Sequence, residues 1–172
     1  MAYIAPPIRE QLRSFIRSVR AVESGKAASV RWNDGTICTS DEEFGGWFIF
    51  DPTSFPKCGH IFLNVDFREG DVTPAVLTIL HELAHAYEHM EDNWRAENRP
   101  EECSEAAAWF QTAAWAARDT SSFGESLIIA TMAFEFARKE IIKWRSRERL
   151  GKIFKEAARE MMSVASESDG HI

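Results

Sequence analysis

The stretch Thr78-Ile79-Leu80-His81-Glu82-Leu83-Ala84-His85-Ala86-Tyr87 decides how this chain is read. Ile79, Leu80, Leu83 and Ala84 belong on a packed helix. His81 and His85 interrupt them four residues apart, with Glu82 beside the first. Residues i and i+4 lie one above the other on a helix face, so the two imidazoles can aim at one point. Buried polar groups cost free energy unless each finds a partner. The helix itself has a clear start: Thr73 is suited to cap it, and Pro74 suits the first helical position, where its missing N–H costs nothing. No glycine or proline follows from Ala75 to Met90, and the polar stretch from Asn93 ends the helix.

His81-Glu82-Leu83-Ala84-His85 is the HExxH pattern of zinc metallopeptidases. Zn2+ accepts neutral imidazole nitrogen, and two ligands on successive helical turns suit its coordination. Glu82 is rotated about 100° around the axis from His81 and can lean over the open side of the ion. A carboxylate there can take a proton from water that then attacks a carbonyl. A third protein ligand is needed. His89 continues the four-residue series but drifts about 40° per step, so it points away from the shared focus. The next helix, predicted from Pro100 to about Arg118, offers Glu101, Glu102 and Glu105 in its first turns. An antiparallel return brings those turns near the second half of the histidine helix. On the Glu105 helix, Trp109, Thr112 and Ala116 share a face and are expected to pack beneath the metal. Tyr87 is expected on the core side of its own helix.

With Glu105 twenty residues beyond His85, in the context Glu-Ala-Ala-Ala-Trp-Phe, the chain resembles a gluzincin. The likeness is to the compact ImmA/IrrE-type peptidases and covers roughly Ile61 to Trp115. It is specific at HELAH and softer elsewhere. The resemblance implies His81, His85 and Glu105 as ligands of Zn2+ and Glu82 as general base. Those peptidases cleave regulatory proteins, so the resemblance implies a protein substrate, though its identity does not carry over. Separately, the chain has no recognisable nucleic-acid motif and no apolar run long enough for a bilayer, so neither nucleic acid nor a membrane is expected as a partner.

Around this centre the chain reads as an α+β protein. Pro6-Pro7 opens a first helix, with Ile8, Leu12, Phe15, Ile16 and Val19 at helical spacing and Gly25 as its end. Val30 and Trp32, then Asn33-Asp34-Gly35, then Ile37, read as a β-hairpin. Trp47–Phe50 and His60–Phe67 read as strands, and Ile61–Phe67 is a candidate edge strand for pairing with an extended substrate. Strands grouped before a run of helices argue for α+β rather than alternating βαβ. The expected architecture is a minimal zincin-like domain over residues 1–120. A small antiparallel or mixed sheet of about three to four strands packs on the HExxH helix. A helical C-terminal extension over 121–166 packs on it as one compact unit, and 167–172 form a flexible tail. Leu150, Ile153, Phe154, Ala157, Met161 and Val164 form an apolar stripe in the extension.

Composition bounds the rest. The 172 residues are 45% hydrophobic, enough for a core. Cys38, Cys58 and Cys103 are odd in number and contain no CxxC, which fits free thiols and excludes a four-cysteine zinc site. MAYIAPPIRE lacks the features of a signal peptide, and the apolar run Leu127–Phe134 is too short for a bilayer, so a soluble, cytoplasmic protein is expected. The net charge of −7 is unevenly spread. Asp34 to Glu105 holds sixteen acids against four bases, whereas Arg138 to Glu160 holds nine bases against four acids. The competing functional reading is a catalytically silent binding module on the same scaffold, acting through its basic helices.

Overall fold

The structure is a computed structural model that describes residues 3–23, 29–32, 34–39, 45–64, 72–91, 101–118 and 123–168. The side chains of Cys38, Thr39, Glu91, Glu101, Glu102 and Phe123, and most of those beyond Arg149, lie outside that set.

The N-terminal helix α1 spans Pro6–Phe15, with proline in its first turn where no hydrogen bond is lost. It is shorter than the sequence pattern suggests. Ile16 is already extended and its N–H closes the helix on the Leu12 carbonyl. Strand β1 follows directly, Ile16–Val22, in place of the helix predicted to reach Gly25. Its partner lies some forty residues away: β1 runs parallel to β5 (Cys58–Asn64), pairing Ser18 with His60 and Val22 with Asn64. Ile16 and Val19 satisfy a helical spacing locally, but β-branched residues also suit a strand, and the distant partner decides.

The hairpin forms as predicted. β2 (Ser29–Arg31) and β3 (Ile37–Thr39) pair antiparallel in a small sheet of their own. Gly35 holds a positive φ of 88°, and the Thr36 N–H donates to Asp34 Oδ1 at 2.9 Å. The strand read at Trp47–Phe50 is β4, Gly46–Asp51, which runs antiparallel to β5 from Gly46 opposite Leu63 to Asp51 opposite Cys58.

The main sheet is therefore mixed, in the order β1-β5-β4. This corrects the edge-strand expectation. Ile61 lies in the central strand, and residues 65–67 of the predicted segment lie outside the described set. The outer strands β1 and β4 each have an unpaired side among the described residues, and β4 is the one that meets α2 at Glu82. β5 is central because the unforeseen β1 occupies the flank that would otherwise have been open.

Alternation along β5 gives the sheet two distinct faces. Phe62 packs with Val30 and Trp32 of the hairpin, while Ile61 joins Phe15 and the helices in the larger core. Phe48 packs against Gly59, where an added Cβ would come within 2.3 Å of its ring. Helix α2 (Val72–Glu91) lays Leu77, Leu80, Leu83 and Ala84 on this side. Helix α3 (Glu101–Arg118) packs against α2 and, more extensively, against α4 (Phe123–Ser168). Buried Ala108, Ala116, Ala133 and Ala137 allow that close approach around Trp115, which is 1% exposed. α4 is continuous through Gly151 and is 46 residues long. That is roughly 69 Å at the helical rise. It also takes in the first two residues of the predicted tail, while 169–172 lie outside the described residues. The architecture is α+β with a helical C-terminal part, and no described helix is long and apolar enough to cross a membrane. Neither Cys58 nor Cys103 is in a disulfide.

The β4–β5 turn is organised by Asp51, which is 3% exposed. Its Oδ1 accepts from the Thr53 N–H at 2.9 Å, the Thr53 hydroxyl at 2.8 Å and the Ser54 N–H at 3.2 Å. Its Oδ2 accepts from the Ser54 hydroxyl at 2.5 Å. Cys58 and His60 lie close enough to form a donor cluster with it, but the carboxylate is already saturated, and His60 Nδ1 is 2.8 Å from the Ser18 hydroxyl. The cluster is a turn lock. Burial pushes the Asp51 carboxyl up, and the Ser54 and Thr53 hydrogen bonds outweigh it, holding the group below its ordinary 3.8. A carboxyl depressed by folding favours the charged state in the native protein. Its contribution is present above pH ~4 and is lost as pH falls below that value. Asp51→Asn is expected to lower unfolding free energy by about 1–3 kcal/mol at pH 7, measured by urea denaturation. The difference from wild type should shrink as pH drops below the ordinary carboxylate range.

Candidate metal centre

α2 places His81 and His85 on the face turned toward α3 and β4. α3 brings Glu105 to the same point from its second turn. His81 Nε2 lies 3.1 Å from Glu105 Oε2 and 3.1 Å from His85 Nε2. His85 Nε2 lies 3.2 Å from Glu105 Oε1. The edge of a zinc tetrahedron with bonds of about 2.0–2.1 Å is about 3.3–3.4 Å, so the three donors stand close to ligand spacing.

The chemistry of the donors fits a cation better than it fits mutual hydrogen bonding. Each neutral imidazole has one N–H and one lone pair. Here both Nε2 atoms face each other and the same carboxylate, so hydrogen bonds alone serve the three poorly. His81 Nδ1 is buried with no hydrogen-bond partner, so its tautomer is not set from that side. A divalent ion at the focus would use both lone pairs and the carboxylate together.

Glu82, 5% exposed, stands beside this group without joining it. Its carboxylate accepts from the Phe48 backbone N–H on β4. Burial is the main influence and raises its pKa to about 7; His85 and the Phe48 N–H pull the other way, while Glu105 adds to the rise. At Glu105 burial acts upward, but the hydrogen bonds from His81 and His85 prevail and hold the carboxyl well below its ordinary range. Burial lowers the pKa of His81 despite Glu105. For His85, burial acts downward too, yet Glu105 wins and the pKa is raised. The site is thus anionic at Glu105, while Glu82 can exchange a proton near neutrality.

β4 reaches Glu82 only because position 46 is glycine. A Cβ there would lie 2.7 Å from Thr78 Cγ2 and 3.1 Å from Glu82 Cγ. Thr78 is β-branched and stiff, so strand and helix would have to separate. Gly46→Ala is expected to cost about 1–3 kcal/mol of stability and to displace Glu82 from beside the His81–His85–Glu105 group. The check is thermal melting against wild type.

The other residues singled out from the sequence fall as follows. His89 stays out of the donor group, and its ring packs 5.3 Å from Phe48 and 5.0 Å from Phe50. Tyr87 faces the core, 5.8 Å from Trp115. Trp109 does more than pack beneath: its ring stacks on His81 at 3.7 Å between centroids, tilted by 21°. Phe136 of α4 backs it at 4.8 Å. His171 and the side chains of Glu101 and Glu102 lie outside the described residues.

The donors open into a cleft of about 810 Å³. Gly45, Gly46, Trp47 and Phe48 form one wall, and Phe136, Lys139, Glu140, Lys143 and Arg147 of α4 form another. The α4 wall was not foreseen. Its signal was present in the spacing of Lys139, Lys143 and Arg147, four residues apart, but nothing local says which way that row faces. Comparison of the chain with protein-family models, with curated proteins and with solved structures gave no match.

Proposed function

We propose that the protein is a zinc-dependent peptidase of the gluzincin type, acting on a protein substrate in the cytoplasm. The observation that carries this reading is the triangle of His81, His85 and Glu105 at 3.1–3.2 Å beside a buried carboxylate that is not part of it. A purely structural site needs a fourth protein ligand; three ligands leave a position for reactants. The free thiols of Cys58 and Cys103 favour a reducing compartment.

When bound, zinc supplies Lewis acidity that makes water acidic near neutral pH and polarises a carbonyl. The residues of the chain do the rest. His81, His85 and Glu105 would hold the ion, and Trp109 stacked on His81 would limit the swing of that ring. Glu82 takes the proton of the attacking water and delivers it to the departing amine nitrogen. The Phe48 N–H orients the Glu82 carboxylate. Beyond it, the side of β4 that no described strand pairs with offers main-chain hydrogen bonds to an extended peptide, a mode of binding that is tolerant of side-chain identity.

The test joins metal analysis to a peptide library. The purified protein is expected to carry about one zinc per chain. The zinc-loaded protein should cut peptides in the library, chelation should end the cutting, and added zinc should restore it. Stoichiometric zinc with no peptide cut would favour the silent binding module instead.

A further inference from the structure

The basic C-terminal segment has no part in the chemistry above, yet it reaches the same cleft. Lys139, Lys143 and Arg147 line the same cleft as His81, His85 and Glu105. Steps of four residues drift by only about 40° each, so the three rise as one row along α4. Lys139 Nζ lies 5.2 Å from the centre of the Phe136 ring, a cation–π contact that keeps the ammonium at the cleft. Lys143 pairs with Glu140, but its side chain remains 60% exposed while that of Glu140 is 16% exposed. Glu140 is the one carboxylate that α4 contributes to the described lining of the cleft, against three cations from the same helix. Arg138, next in sequence, is outside the cleft and pairs with Glu135 at 2.9 Å. The basic character is therefore directed inward at these three positions, in a chain whose net charge is −7.

We propose that the cleft selects an acidic peptide segment, with Lys139, Lys143 and Arg147 receiving aspartate or glutamate side chains of the substrate. The inference rests on the cleft being a peptidase site. The two walls then divide the work: β4 pairs with the main chain, and α4 reads side-chain charge. A polypeptide fits this pairing better than a nucleic acid does. One wall is a strand edge that offers main-chain hydrogen bonds, and three cations accompanied by Glu140 make a short track for a phosphate backbone. Exposed cations act through a screened field, so the preference should weaken as salt is raised.

The experiment uses the full chain, zinc-loaded, with two fluorescein-labelled peptides of the same length. One carries four aspartates and the other four lysines at the same positions. Binding is measured by anisotropy on the Glu82→Gln protein, and hydrolysis on the wild type. The aspartate peptide should bind about tenfold or more tightly at low salt. Lys139→Glu combined with Lys143→Glu should erase or invert that ratio. The triple change Lys139→Gln, Lys143→Gln and Arg147→Gln repeats the test without introducing acids. Arg138→Glu changes net charge equally per site and should leave the ratio in place. Equal binding of the two peptides, or a per-charge effect of Arg138→Glu as large as that of the combined Lys139→Glu and Lys143→Glu change, overturns the proposal. Displacement of the aspartate peptide by oligo-dT more strongly than by poly-glutamate also overturns it, in favour of nucleic acid. Charge-selective binding with no peptide cut by the wild type would sink the peptidase reading and keep acidic-segment recognition. Cutting without charge preference would do the reverse.

Discussion

Glu82→Gln is expected to bind one zinc per chain and to cut peptides more slowly by a factor on the order of 10²–10⁴, the usual contribution of a positioned general base. The change is nearly isosteric, which matters at a side chain 5% exposed and wedged against Gly46. The glutamine carbonyl can still accept from the Phe48 N–H, so the local frame survives. What it cannot do is hold a proton at the reacting water. The same substitution has a second, independent signature in the metal-free protein. Burial raises the Glu82 pKa from 4.5 to about 7. Below pH 4.5 the folded and unfolded chains are both protonated and nothing is lost. Between 4.5 and about 7 the unfolded chain releases its proton while the folded one keeps it, so stability falls across that window. Glutamine has no proton to release, so the variant should lack that part of the decline. Chemical denaturation between pH 4 and 8 measures it. A variant that cuts peptides at the wild-type rate would remove Glu82 from the mechanism.

Glu105→Gln should weaken zinc binding by more than about a hundredfold, since even residues one step removed from a metal change affinity 10–100-fold. Glu105 is the only anion among the three donors, and both imidazoles lie within 3.2 Å of its oxygens. An amide there presents no formal charge and a poorer ligand. The readout is competition with a fluorescent zinc chelator, supported by melting with and without zinc. A metal that binds only the folded state raises stability by about 4 kcal/mol when present at a thousand times its dissociation constant. At the same zinc concentration that rise should fall to about 1.4 kcal/mol or less in Glu105→Gln and persist in full in Glu101→Gln and Glu102→Gln. Persistence of tight zinc in Glu105→Gln would move the third ligand elsewhere on α3.

Some of this site was written in the local sequence and some was not. The four-residue step from His81 to His85 is a property of any helix, so their shared focus followed once the segment was read as helical. Glu105 was harder: three glutamates crowd the start of α3, and its packing on α2 brings Glu105 Oε1 and Oε2 to the imidazoles. Gly46 carries no motif. Its role exists only because β4 passes close enough to touch Thr78 and Glu82. The stacking of Trp109 on His81 and the inward row on α4 likewise depend on how helices pack, which an isolated helical pattern does not encode.

The sequence by itself determined the helices that carry the donors, the hairpin turn at Asp34-Gly35 and the α+β class, because these depend on contacts a few residues apart. Only the tertiary structure decided that residues 16–22 leave the helical path to flank β5, that β4 is the edge beside Glu82, and that the basic row of α4 faces the cleft. Each of those outcomes depends on pairing between segments tens of residues apart, where the burial and hydrogen bonds gained outweigh what the local pattern prefers.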